Sequence, residues 1–69
     1  MQINIALLTI TDSRTIETDK SGSILKKKIA EQNHKLVDRK LVKDSKDKIK
    51  KILISWTKMK KIDVIITTG

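Results

Sequence analysis

Apolar side chains gather in five stretches along this chain, and the spacing within each stretch sets the element it predicts. Ile3 to Thr11 is nearly continuous, with Ile5, Leu7 and Thr9 on one side of an extended backbone and Ala6, Leu8 and Ile10 on the other. A strand apolar on both faces is covered by layers on both sides, the environment of a parallel sheet. The polar residues from Asp12 to Lys20 end this strand and predict a connection that is long for a strand-to-helix link. Ile24, Leu25 and Ile29 then follow helical spacing around Lys26, Lys27 and Lys28. Asp19 or Ser21 can cap the start of this helix, and Asn33 suits a left-handed stop at its end. Lys35 to Val42 alternates imperfectly, because Asp38, Arg39 and Lys40 interrupt the apolar residues. It predicts an edge strand, where charge discourages unwanted pairing.

The clearest pattern runs from Asp44 to Met59, where Ile49, Ile52, Leu53 and Trp56 share one face of a helix and lysines take the other. Asp44 or Ser45 can cap it, Asp47 suits its positive end, and Lys58, Lys60 and Lys61 suit its negative end. Ile62 to Thr68 predicts a last strand that is apolar on both faces.

Strands alternating with helices imply right-handed crossovers in a parallel sheet. If the first and third strands are the best buried, the strand order is 2-1-3 with one helix on each face. This α/β pattern is the β-α-β-α-β start of a three-layer α/β/α domain. Its third strand would keep an open apolar edge, which predicts that residues 1–69 are the N-terminal portion of a single domain whose C-terminal half is missing. With 69 residues the chain buries only about 60% of the surface it exposes when unfolded. Its stability would be about 3 to 10 kcal/mol, comparable with the roughly 3 to 5 kcal/mol that removing Trp56 to alanine would cost. The expectation is a molten or aggregating chain in isolation.

Composition adjusts this picture at four points. The chain has no cysteine, which suits a reducing compartment and a cytoplasmic location. The run from Met1 to Ile10 lacks a basic flank and a cleavage site, so it predicts a strand and no signal peptide. No stretch approaches the roughly 20 apolar residues that cross a bilayer, so no membrane association is expected. The net charge of +8 invites a second reading, a small basic protein binding nucleic acid non-specifically. The excess is lysine, however, with arginine only at Arg14 and Arg39, and isoleucine outnumbers leucine 12 to 6, as AT-rich coding would produce. Trp56 is the only aromatic residue and falls on the apolar face of its helix, which leaves nothing to stack bases.

Chemistry is expected where the strand order reverses, beyond the carboxyl ends of the strands. Asp12-Ser13-Arg14, Asp44 and Thr67-Thr68-Gly69 converge there. Thr-Thr-Gly can open a turn whose backbone N–H groups hold an anion, or it can be a solvated strand end. Asp44 is a helix cap or a carboxylate holding magnesium against ligand phosphates. Arg14 can pair bidentately with a phosphate or remain solvated. His34, the only histidine, stands at the end of the first helix, where a structural role outweighs a metal or acid-base one.

Four ordered segments carry a resemblance: Ile5 to Arg14, Asp19-Lys20-Ser21-Gly22, His34 to Asp44, and Asp63 to Gly69. Together they resemble the molybdenum cofactor biosynthesis family of MoaB- and MogA-type proteins, and the wording of the first and third is closer to the MoaB branch. The resemblance spans essentially the whole chain. It implies a molybdopterin-binding domain that assembles as a homotrimer or homohexamer. In active relatives it implies use of Mg2+ and ATP to attach AMP to the molybdopterin phosphate. Thr67, Thr68 and Gly69 match the start of the family's Thr-Thr-Gly-Gly-Thr-Gly loop, and Asp44 matches an acidic position implicated in catalysis or metal binding. Asp12, Ser13, Arg14 and Gly22 match positions lining the pocket. The remainder of the glycine loop and the second acidic motif are absent, so this chain alone is expected to be inactive. A generic nucleotide-binding module outside the family is the third reading.

Overall fold

The computed structural model describes residues 2–69, so Met1, the first residue of the amino-terminal run, lies outside it. Five elements follow the predicted order: β1 (Asn4–Ile10), α1 (Lys20–Glu31), β2 (Lys35–Val42), α2 (Lys46–Thr57) and β3 (Val64–Thr68). Both strand pairs are parallel and the sheet order is β2-β1-β3, as the alternation of elements requires. The central strand, β1, has every residue from Ile5 to Thr9 buried.

One irregularity decides which way the side chains of β2 face. Ile5 pairs with Leu36, but Ala6 pairs with Asp38, so Val37 is an extra residue bulged out of register. A one-residue shift turns the rest of a strand over. As a result Asp38, Lys40 and Val42 share a face with Ala6, Leu8 and Ile10, while Arg39 and Leu41 share a face with Leu7 and Thr9. α2 covers the first of these faces. Trp56 is fully buried there with Ala6, Leu8 and Val42, flanked by Ile49, Ile52, Leu53 and Ile65. Its indole N–H, costly to bury unpaired, donates to Asp38 Oδ2 at 2.9 Å. α1 covers the opposite face, bringing Asp19 to Thr9 and Arg39.

The helix ends follow local chemistry. Asp19 is the N-cap of α1 and accepts from the Gly22 N–H. Asn33 has φ 61°, the left-handed stop expected of it. Ser45 takes the N-cap position of α2 but makes no capping hydrogen bond, and the helix ends at Thr57 with Lys58 as its C-cap. His34 Nδ1 accepts the Ile3 N–H at 3.0 Å, which gives this histidine a structural task in holding β1 at its start.

Two sequence expectations need correction. Ile24 shares the helical spacing of the apolar face of α1 yet is 55% exposed, because only Ile29 and Gly22 of that helix are buried. β3 is not buried like β1: Val64 is 41% exposed and Ile65 and Ile66 are half-buried. The strand pairs with β1, and of its residues Ile65 packs against the core cluster around Trp56. The chain exposes 5104 Å², against about 4,400 Å² for a compact monomer of its mass. Its radius of gyration is 11.9 Å, against about 11 Å expected.

This under-covered sheet has a thermal signature. The isolated chain is expected to lose its circular-dichroism signal over a broad temperature range. A sharp two-state transition from a monodisperse monomer would contradict that expectation.

Candidate functional site

The carboxyl ends of all three strands open into one cleft of about 430 Å³, lined by Ile10, Thr11, Asp12, Asp44, Thr67, Thr68 and Gly69. It lies at the reversal point of a parallel sheet, where β1 has β2 on one side and β3 on the other and the chain passes from β1 out to β2 and then back to β3. Its volume falls in the range of small-molecule sites.

Each wall has a local cause. The Thr11 N–H donates to the Val42 carbonyl at 2.8 Å, which prolongs the pairing of β1 with β2 into the cleft. Thr11 Oγ1 then accepts from the N–H groups of Ser13 and Arg14, both at 3.4 Å, turning the chain away from the sheet. Asp12 Oδ1 accepts the Asp44 N–H at 3.2 Å and joins the ends of β1 and β2 across the cleft. Among the described residues no hydrogen bond or ion pair engages the Asp44 carboxylate, which is therefore free to face a ligand. Ser45 occupies the N-cap position of α2, so the capping role does not fall to Asp44. On the third wall, a Cβ added at Gly69 would collide with the Ile10 carbonyl oxygen and lie 3.3 Å from Ile10 Cβ. Only a residue without a side chain lets β3 close against β1 at this point.

Of the residues singled out from sequence, Asp12, Asp44, Thr67, Thr68 and Gly69 meet in the cleft, and Ser13, Arg14 and Gly22 do not line it. Arg14 is turned to the start of α1, with Nη1 3.7 Å from Asp19 Oδ1 and 3.4 Å from Ser21 Oγ. Gly22 lies in α1, where its N–H donates to Asp19 Oδ1 at 3.1 Å. A Cβ there would collide with the Asp19 carboxylate and lie 2.9 Å from Arg39 Nη2.

Sequence reading gave Asp19 a capping role and missed that it is a fully buried hub. Thr9 Oγ1 donates to Oδ2 at 2.6 Å, Arg39 Nη2 to Oδ2 at 3.2 Å, and Ser21 Oγ to Oδ1 at 3.3 Å. The available signals were a hydroxyl in an apolar strand and an arginine among lysines. Burial pushes the Asp19 carboxyl up. The hydrogen bonds from Thr9, Gly22, Arg39 and Ser21 together outweigh that and hold it below its ordinary value of 3.8.

For a cation, the cleft offers the carboxylates of Asp12 and Asp44, hard oxygen donors that suit Mg2+ better than a softer transition metal. Among the described residues no group of three or more metal-ligating side chains exists. Two carboxylates plus phosphate oxygens is a usual way to hold Mg2+, so the residues fit a metal that arrives with a phosphate ligand.

The family described as "Probable molybdopterin binding domain" matches residues 6–69. Molybdenum cofactor biosynthesis protein B of Bacillus cereus is 35% identical over 99% of this chain and 40% of its own length. The protein of the same name from Staphylococcus carnosus is 42% identical over 97% of this chain and 40% of its own length. A crystal structure of molybdenum cofactor biosynthesis protein B superposes with a TM-score of 0.95 at 35% identity, covering 100% of this chain and 43% of that one. The chain thus spans about 40% of the length of the curated relatives it matches.

The Asp19 hub can be tested in a chimera that places this chain ahead of the remaining residues of the Bacillus cereus relative. Helix propensity alone would favour Gly22→Ala by about 1 kcal/mol. Collision with Asp19 is expected to reverse the sign and cost about 1 to 3 kcal/mol in urea unfolding. Because its native pKa is lowered, Asp19 adds stability that is present above its unfolded pKa of about 3.9 and is lost as pH falls through the native value. The Gly22 amide resonance should titrate with a midpoint below 3.8. A midpoint at or above that value would refute the hub.

Proposed function

The chain belongs to the molybdopterin-binding domain family, and on that footing we propose that it supplies the N-terminal part of a molybdopterin site used in molybdenum cofactor biosynthesis. The observation that carries this reading is the convergence of Asp12, Asp44 and Thr67 to Gly69 in one cleft at the reversal point of the sheet. Thr11, Thr67 and Thr68 give the lining hydroxyl groups that suit a phosphate end. Thr67, Thr68 and Gly69 would present backbone N–H groups and hydroxyls to the terminal phosphate. Asp44, with its carboxylate uncommitted, would hold Mg2+, and Asp12 would keep Asp44 in place through the 3.2 Å hydrogen bond. A bound Mg2+ would supply neutralisation of phosphate charge.

In the complete domain this arrangement suits adenylylation of molybdopterin with ATP, a reaction governed by positioning and charge neutralisation. Ser13, Arg14 and Gly22 would then act at one remove. Arg14 and Gly22 brace Asp19, and Asp19 anchors the loop that carries Asp12 and Ser13. A homotrimeric or homohexameric assembly and a cytoplasmic location belong to the same reading. Among the described residues no helix is long and apolar enough to cross a membrane. Against the nucleic-acid alternative that the net charge invites stands the one aromatic side chain, Trp56, which is fully buried and leaves nothing to stack bases.

In the chimera with the Bacillus cereus relative, Asp44→Asn is expected to weaken Mg2+-dependent molybdopterin binding about tenfold, or roughly 1.4 kcal/mol. Pterin fluorescence would measure it, and unchanged affinity would sink the assignment of Asp44. The 69-residue chain by itself is expected to release no pyrophosphate from ATP and molybdopterin. Measurable release would show that the site is complete without further residues.

A further inference from the structure

At the amino-terminal end of the central strand, side chains stand in for the backbone ladder. The Lys35 N–H donates to the Ile3 carbonyl at 2.9 Å, and a regular parallel ladder would next draw the Ile3 N–H to the carbonyl of residue 33. Asn33 is in its left-handed turn with φ 61°, and His34 Nδ1 accepts the Ile3 N–H instead, at 3.0 Å. On the other side of β1 the Asp63 N–H donates to the Asn4 carbonyl at 2.9 Å, and Asp63 Oδ2 accepts the Asn4 N–H at 2.9 Å. His34 directly precedes β2 and Asp63 directly precedes β3. Two side chains, one ahead of each outer strand, therefore fix the point at which β1 enters the sheet.

A proton affects these two acceptors differently. Imidazole Nδ1 accepts only while it is unprotonated, which puts the proton of the neutral His34 ring on Nε2. With both nitrogens protonated the ring can only donate, and it would then turn an N–H against the Ile3 N–H. Histidine is the side chain whose charge ordinarily changes between about pH 5 and 8, whereas carboxylates go on accepting at lower pH. β1 offers no charged side chain from Asn4 to Ile10 to offset a charge on the ring. The charged residues at this end of the sheet are Lys28 and Glu31 near the end of α1, Lys35 opening β2, and Lys58, Lys60, Lys61 and Asp63 between α2 and β3. Among the described residues none of them forms an ion pair or side-chain hydrogen bond with His34.

We propose that His34 is a proton-operated latch, which fastens Ile3 to the start of β2 while Nδ1 is bare and lets go when Nδ1 takes a proton, leaving Asp63 to hold Asn4. The acid-sensitive part of the sheet is then the start of β1, at the opposite end from the cleft. The latch does not depend on what the cleft binds.

The test follows amide hydrogen exchange at Ile3 and Asn4 in the chimera with the Bacillus cereus relative, at pH 7.5 and pH 5, each rate normalised to that of an unstructured amide at the same pH. Protection at Ile3 is expected to fall about tenfold or more on acidification, while protection at Asn4 changes less than about twofold. His34→Asn places an amide oxygen near the Nδ1 position without a titrating ring, so Ile3 should stay protected at both pH values. His34→Leu removes the acceptor, so Ile3 should be poorly protected at both. Should the leucine variant fail to fold, the comparison of the unaltered chimera with His34→Asn decides the matter. Unchanged Ile3 protection at pH 5, an equal loss at Asn4, or a pH dependence that survives in His34→Asn would each overturn the proposal.

Discussion

A carboxylate cut off from water needs donors on every side, and Asp19 draws them from three elements. Thr9 reaches it from β1, Gly22 and Ser21 from α1, and Arg39 from β2. Removing any one partner would leave a buried charge under-satisfied, which costs more than the same bond contributes in net terms. The pair is therefore weak evidence for stability as such and strong evidence for specificity of arrangement. It sets α1 against one face of the sheet, and it anchors the end of the loop whose beginning carries Asp12. The cleft inherits its first wall from this anchor.

The second wall depends on the bulge at Val37. Without that extra residue Asp38 would face α1 and Arg39 would face α2, so both buried polar contacts would be lost together. With it, Asp38 satisfies the Trp56 indole on one side and Arg39 satisfies Asp19 on the other. One displaced residue lets a strand of alternating charge serve two differently built faces. The pairing then continues to Val42, which delivers Asp44 beside Asp12.

The third wall is a matter of closeness. β3 runs against β1 until Gly69 meets the Ile10 carbonyl, so the Thr-Thr-Gly segment arrives with no side chain between the two backbones. The same strand is the least covered part of the molecule. The strand that brings Thr67, Thr68 and Gly69 to the cleft is therefore also the less covered edge of the sheet.

The element order, the 2-1-3 sheet and the meeting of Asp12, Asp44 and Thr67 to Gly69 were all legible in the sequence. They follow from periodicity and chain connectivity, which act locally or through a handedness rule that every right-handed crossover obeys. Asn33 and Asp19 were legible as a stop and a cap for the same reason. What the sequence could not reveal was the register. A bulge changes no residue's local propensity, so nothing in Lys35 to Val42 announced which helix Asp38 would face and which Arg39. Nor could periodicity distinguish the fully buried β1 from the half-covered β3, since both read as apolar on two faces and only the neighbours differ. The composition of the cleft was written along the chain, but the role of Gly22 was not. Its importance is the space it leaves for two side chains, Asp19 and Arg39, that only the folded sheet and helix bring together.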